Sequence, residues 1–177
     1  DFLGVNHYSS LLASEPAEVP RWGGYWADVF VDFSGDEGRW ETNSMGWSIV
    51  PEGCRDILLW IRERYGKDVV VYVTENGSSF EENGLDEALH DTKRRDYFEG
   101  YISAMAEAMV MGVDVRGYFA WSLMDNFEWQ FGYDRKFGLW RVDFEGGTLK
   151  RTPKLSSFWY RDTITINGAN IKIATKP

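Results

Sequence analysis

The sequence predicts an α/β chain built on a parallel sheet, and three observations carry that expectation. Strand-like runs alternate with helix-like runs along the chain. The connections between the first three strand-like runs show helical periodicity rather than hairpin turns. Each of those runs also ends in polar and aromatic residues rather than in a plain turn. Parallel strands cannot be joined tightly and need a crossover, for which a helix is the usual solution.

The elements follow in order. Residues 1–8, Asp-Phe-Leu-Gly-Val-Asn-His-Tyr, read as a buried strand. Residues 9–46 are rich in Gly, Ser and acids, with Trp22, Tyr25, Trp26 and Trp40 scattered through them. A connection this long tends to be functional or to carry short elements of its own. Pro51 stands where a helix begins its first turn. Ile57, Leu58, Ile61 and Tyr65 then recur at helical spacing, and Gly66 supplies the stop. Val69 to Val73 is a continuous β-branched and aromatic run, the pattern of a strand buried on both faces. Asn76-Gly77, just beyond it, is a turn signal. A second helix is expected from an N-cap at Asp91 to about Met111, closed by Gly112, with Tyr97, Tyr101, Met105, Ala108 and Met109 as its apolar stripe. Val115 to Trp121 reads as a third strand. Phe137–Phe144 and Thr148–Lys150, joined through Gly146-Gly147, read as a β-hairpin. Thr152-Pro153 is expected to open a final helix ending near Asn167-Gly168.

Site-like residues at the C-terminal ends of successive parallel strands are what a (β/α)8 TIM barrel predicts. Only three such units are present, so the pattern gives a partial barrel. With 177 residues and 44% apolar content the chain has the size and core of one domain. A net charge of −9 argues against a nucleic-acid partner and against an anionic membrane surface. No stretch is apolar for long enough to span a bilayer, and no signal-peptide pattern opens the sequence. The lone Cys54 excludes an internal disulfide and falls in the first helix, as a buried structural thiol would. Two His and one Cys give no zinc-ligand set, and no metal or other cofactor is expected. The 16% aromatic content serves a core, and it also offers stacking surface for a flat ligand such as the apolar face of a sugar ring.

Glu75 follows five apolar strand residues, at the end of the strand where rigid backbone fixes a carboxylate. Its neighbours carry a resemblance. Val73-Thr-Glu-Asn-Gly77 resembles the [IV]-T-E-N-G nucleophile motif of family 1 glycoside hydrolases, the β-glucosidase family. Residues 1–8 resemble that family's D-F-L-G-x-N-x-Y segment. Met45-Gly-Trp47 with Pro51-Glu-Gly53 resembles its M-G-W…P-x-G stretch. Residues 116–129, Arg-Gly-Tyr-Phe-Ala-Trp-Ser-Leu-Met-Asp-Asn-Phe-Glu-Trp, resemble its R-G-Y-F-x-W-S-L-x-D-N-x-E-W block. Phe137-Gly-Leu and Lys150-Arg-Thr-Pro-Lys154 match its C-terminal portion. The set is ordered, correctly spaced and covers nearly the whole chain.

The resemblance implies that residues 1–177 are the C-terminal part of one family 1 barrel domain, its last three βα units (strands six to eight), with the N-terminal strands lying elsewhere. It implies a retaining β-glycosidase acting on unphosphorylated β-glycosides. Glu75 would be the nucleophile, and Tyr8 would donate a hydrogen bond that orients it. Asn6 would support both. Glu128 and Trp129 would bind sugar hydroxyls, the carboxylate accepting from two at once. Trp121 would form a platform under the ring, Trp47 would line the leaving-group subsite and Phe137 would form an apolar wall. Relatives acting on 6-phosphorylated sugars replace the residue matching Glu128, since a fixed carboxylate repels phosphate.

One departure stands out. The family's acid/base Glu belongs to a T-x-N-E-P motif, and no Asn-Glu-Pro occurs in this sequence. Hydrolysis is therefore expected only with the missing N-terminal half of the barrel as partner, and O- versus S-glycoside cleavage stays open. The alternative from the same resemblance is a non-catalytic sugar-binding or receptor-type relative. Compartment is unassigned, with secretion suggested by resemblance alone.

Overall fold

The structure, a computed structural model, describes residues 1–15, 31–34 and 38–174; Trp22, Tyr25 and Trp26 lie outside them. Its centre is a parallel three-stranded sheet of β1 (Leu3–Asn6), β4 (Val70–Asn76) and β5 (Asp114–Ala120), with β4 in the middle. Helix α1 (Pro51–Tyr65) connects towards β4, and α2 (Leu85–Leu89) and α3 (Thr92–Val110) lie between β4 and β5. An antiparallel pair, β6 (Trp140–Val142) and β7 (Arg151–Pro153), precedes the last helix, α4 (Leu155–Ala174). The order of parallel strands and connecting helices is that of consecutive units of a (β/α)8 barrel.

One core joins the sheet to the helices. Cys54, Leu58 and Ile61 of α1 and Tyr97, Phe98, Tyr101 and Ala108 of α3 close on Val71, Val73 and Val115. Pro51 sits at the start of α1 as expected, where its missing N–H costs nothing. The α1 and α3 stripes end in exposed residues, Tyr65 and Met109, which lie at the ends of their helices.

Several expectations need correction. β4 buries only alternate residues: Val71 and Val73 face the helices, while Val70 and Tyr72 are half-buried on the other face, the ordinary period-2 outcome where one face alone is fully covered. β1 is largely exposed rather than buried, because among the described residues it has a strand neighbour on one side only. The long connection holds a short antiparallel pair, β2 (Leu12–Ser14) and β3 (Asp32–Ser34). Asp91 holds the N-cap position of α3 as expected, and its carbonyl accepts from the Arg95 N–H, but its side chain makes no cap; the carboxylate takes Arg94 and Ser156 instead. The C-terminal hairpin pairs Trp140–Val142 with Arg151–Pro153, so Thr152 and Pro153 are strand residues and α4 begins at Leu155 and runs to Ala174. Pro153 satisfies both readings locally, since a short edge strand needs no donor from it.

Candidate active site

The ends of β1, β4 and β5 converge on one cleft of about 240 Å³. Tyr8, Trp47, Glu75, Trp121, Glu128 and Trp129 line it, together with Met45, Gln130 and Phe131, which the sequence reading did not single out. Glu75 reaches it from β4, where it stands in register with Asn6 of β1, and its carbonyl accepts from the His7 N–H at 3.0 Å. Its position is thus set by the sheet ladder. The Tyr8 hydroxyl donates to Glu75 Oε2 at 2.6 Å. Burial, then that hydrogen bond and the charges of Glu75 and Glu128, raise the Tyr8 phenol well above its ordinary range. Tyr8 therefore remains a protonated donor, leaving the other Glu75 oxygen available for chemistry.

The Tyr8 ring is gripped from two sides, edge-on by Trp47 at 5.6 Å and by Phe137 at 6.3 Å. Phe137 is 1% exposed and lies against Tyr8 and Trp47 outside the cleft lining, as a backing residue. Asn6 also stands outside the cleft; its Oδ1 accepts from Thr74 Oγ1 at 2.6 Å, one residue before Glu75. Trp47 is delivered by a turn wound around the buried Asn43 side chain, whose Oδ1 accepts from the Met45 and Trp47 N–H groups. Asn43 was not foreseen, although an Asn opening a turn before Met-Gly-Trp is a recognisable signal.

On the β5 side, the Trp121 N–H donates to the Asn76 carbonyl at 2.7 Å. A Cβ on Gly77 would stand 1.8 Å from the Trp121 carbonyl oxygen, so only glycine lets the turn after Glu75 come this close to the end of β5. The Trp121–Ser122 peptide is cis. Glu128 is only 8% exposed, and the Trp121 indole N–H points to its Oε2 at 3.5 Å. Burial raises the Glu128 carboxyl above its ordinary range; the Trp121 contact opposes the shift and the Glu75 charge adds to it. Glu128 sits at the head of a 3-10 turn (Trp129–Phe131) whose geometry needs Trp129 at φ 46° and Gly132 at φ 57°. Trp129 is 74% exposed, its ring at the rim of the cleft.

A buried ionic cluster braces these loops. Asp125 accepts from the Gly138 N–H at 2.9 Å, the Val142 N–H at 3.3 Å and Lys154 Nζ at 3.2 Å. Lys154 also reaches Glu82 at 2.7 Å, and Arg94 pairs with Asp91 at 2.6 Å while donating to the Ser78 and Lys136 carbonyls. Sequence reasoning missed this cluster because Lys154, which ties it together, is far in the chain from Glu82 and Asp125. A larger polar depression of about 720 Å³ touches Glu82, Asp91 and Arg94, but these charges are already engaged with one another. The smaller cleft brings together a tyrosine-held carboxylate, a second carboxylate and three tryptophans.

Residues 1–169 match the profile of Glycosyl hydrolase family 1. The chain is 41% identical over 167 residues to Beta-glucosidase 4 of Oryza sativa subsp. japonica, covering 90% of this chain and 34% of the relative. It is 39% identical over 175 residues to the protein named "Probable inactive beta-glucosidase 14" of the same species. Among solved structures, the family 1 β-glucosidase from Thermotoga maritima superposes with a TM-score of 0.80 at 38% identity, over 93% of this chain and 34% of that one. The chain thus spans about a third of the length of these relatives. By the extent of these matches, the chain belongs to glycosyl hydrolase family 1.

Proposed function

We propose that this chain forms the last three βα units of a retaining β-glycosidase barrel and supplies its nucleophile, Glu75. The observation that carries the reading is the 2.6 Å hydrogen bond from Tyr8 to Glu75 inside a cleft that also holds Glu128 and the tryptophans. A carboxylate held from one oxygen by a phenol that stays protonated keeps its second oxygen free to attack. In a retaining mechanism that oxygen attacks the anomeric carbon as the bond to the leaving oxygen breaks, and a second carboxyl protonates the leaving oxygen. Water then displaces the sugar from Glu75, giving up its proton to the same second carboxyl.

In this reading Glu128 accepts hydrogen bonds from sugar hydroxyls, the Trp121 and Trp129 indoles add stacking surface and donors, and Trp47 flanks the leaving group. Asn6 acts outside the cleft, on Thr74, and Phe137 acts behind it, on the Tyr8 ring. The acid/base carboxyl comes from another part of the barrel, contributed by an N-terminal portion that completes the sheet beside β1 and β5. The substrate is an unphosphorylated β-glycoside.

The test is hydrolysis of an aryl β-glucoside by the chain alone and after co-refolding with the N-terminal half of a family 1 barrel. Turnover is expected in the mixture only, and Glu75→Gln should remove it, a loss of about a millionfold if it matches the loss of a covalent nucleophile in other hydrolases. Turnover by Glu75→Gln at the parent rate would end the proposal. A second reading is a sugar-binding protein without turnover. It is favoured by the 39% identity to a relative named as inactive. In that case the co-refolded protein binds glucosides, leaves them intact, and loses binding with Glu128→Ala.

A further inference from the structure

Asn76 follows the proposed nucleophile in sequence, yet its side chain turns away from the cleft and is 0% exposed. Its amide is fully engaged. Nδ2 donates to the His7 carbonyl at 2.7 Å and to the Tyr97 hydroxyl at 3.0 Å, and Oδ1 accepts from the Tyr118 hydroxyl at 2.6 Å. The Tyr97 hydroxyl in turn donates to the Tyr8 carbonyl at 3.1 Å. Tyr101, stacked on Tyr97 at 4.2 Å, reaches the same carbonyl at the longer distance of 3.4 Å. The Asn76 carbonyl accepts from the Trp121 N–H. Through its side-chain amide and its backbone carbonyl, this one buried residue of β4 thereby contacts the chain just past the ends of β1 and β5.

These contacts close a ring. From Glu75 the chain leads to Asn76, from its amide to Tyr97, from Tyr97 to the backbone of Tyr8, and from the Tyr8 hydroxyl back to Glu75 Oε2. Besides the Glu75–Asn76 peptide and the Tyr8 residue itself, the links are hydrogen bonds, and those to Tyr97 lie behind the cleft. Packing alone would be served by any apolar residue at 76. A filled amide demands these particular partners, because each unsatisfied buried group carries a desolvation cost.

We infer that Asn76 and Tyr97 are positioning residues for the Tyr8–Glu75 pair: they fix the backbone from which Tyr8 reaches the carboxylate. Helix α3, through Tyr97, is then part of the catalytic scaffold without touching substrate. The inference rests on the glycosidase reading for its catalytic consequence and not for its geometry.

The experiment follows the Tyr8 ring in the full chain by NMR with 13Cζ-labelled tyrosine, its resonance assigned by loss in Tyr8→Phe. Glu75→Gln displaces that resonance in the parent, because it changes the acceptor of the Tyr8 hydroxyl. In a Tyr97→Phe background, and in Asn76→Ala if that variant folds, the displacement is expected to fall to half or less. An undiminished displacement in Tyr97→Phe overturns the inference, since a residue that merely packs would leave the Tyr8–Glu75 bond unchanged in the folded fraction. In the co-refolded enzyme, Tyr97→Phe is expected to lower kcat about tenfold with KM within about twofold, the signature of a misplaced reacting group rather than a lost substrate contact. An unchanged kcat there overturns the catalytic consequence. Absence of turnover in the parent counts against the glycosidase reading, and the NMR result then decides this inference alone.

Discussion

Glu75 and Glu128 share one cleft but are held in different ways. Glu75 sits on the central strand: its carbonyl is in the sheet ladder, its carboxylate takes a 2.6 Å hydrogen bond, and its neighbour Asn76 is buried. Glu128 sits at the head of a 3-10 turn, its indole contact is a long 3.5 Å, and burial raises its carboxyl pKa. The first carboxylate is placed by regular backbone. The second is placed by a loop that depends on ion pairs beneath it. A group that must attack one atom benefits from the stiffer mounting, whereas a ligand for mobile hydroxyls tolerates a looser one.

The largest break in this comparison should come from beneath the loop. Lys154 is fully buried between Asp125 and Glu82. Burial, and then the neighbouring Arg94, push its ammonium pKa down, while Asp125 and Glu82 push it back up. Lys154→Met leaves those two carboxylates without this cation, and removing one partner of a buried pair typically costs about 3–5 kcal/mol. Urea unfolding should show that loss as a lower midpoint at unchanged slope. The Glu128 loop should loosen while Glu75 keeps its ladder, visible as faster amide exchange at residues 122–132 than at 71–76. Equal acceleration in both segments would mean that the two mountings are one unit.

Titration gives the next sharpest contrast. Burial holds the folded Glu128 carboxyl above its ordinary value, the one it has in the unfolded chain. The folded state therefore holds this proton more tightly, and stability falls as pH rises from the unfolded pKa through the folded one. Glu128→Gln lacks that slope, so the gap in melting temperature between variant and parent should shift in favour of the variant as pH rises through this window. Binding runs the other way. If, as proposed, the ionised carboxylate accepts from sugar hydroxyls, KM in the assembled enzyme should rise as pH drops through the raised pKa, and Glu128→Gln should show a high KM that does not vary there. A KM in the parent that ignores pH would remove Glu128 from the sugar contacts.

The same contrast explains how much could be read from the sequence. The central strand and the helices α1 and α3 packed on the sheet were legible, because Val69–Val73 and the stripe through Tyr97, Tyr101 and Ala108 are local patterns. Tyr8, Trp47, Glu75, Trp121, Glu128 and Trp129 were legible as a set through motif order, and they do meet in one cleft. What remained hidden joins residues distant in sequence. Asp91 stands at the N-cap position its sequence suggests, but its carboxylate goes to Ser156 of the last helix and to Arg94 rather than to the helix N–H groups. Pro153 looked like a helix start because Thr-Pro is one locally, and Trp140 captured it for a strand. The β2–β3 pair escaped because its strands are three residues long and lack a period to detect.

The smallest effect on stability is expected at Trp129. Its backbone sits at φ 46°, a conformation in which a side chain bears strain, and its ring is 74% exposed. A glycine there relieves the strain but adds freedom to the unfolded chain, and the two terms oppose each other at roughly 1 kcal/mol each. Trp129→Gly should therefore change the unfolding midpoint little, in contrast to Lys154→Met. Its effect should be confined to ligand, as weaker binding of a glucoside, because the indole supplies rim surface and one donor. Isothermal titration of the co-refolded protein alongside urea unfolding separates the two outcomes. A large loss of stability would show that Trp129 packs into the fold, and unchanged binding would show that the exposed ring faces solvent alone. Retained stability with weakened binding is the result expected of a residue kept in a strained conformation for contact with ligand.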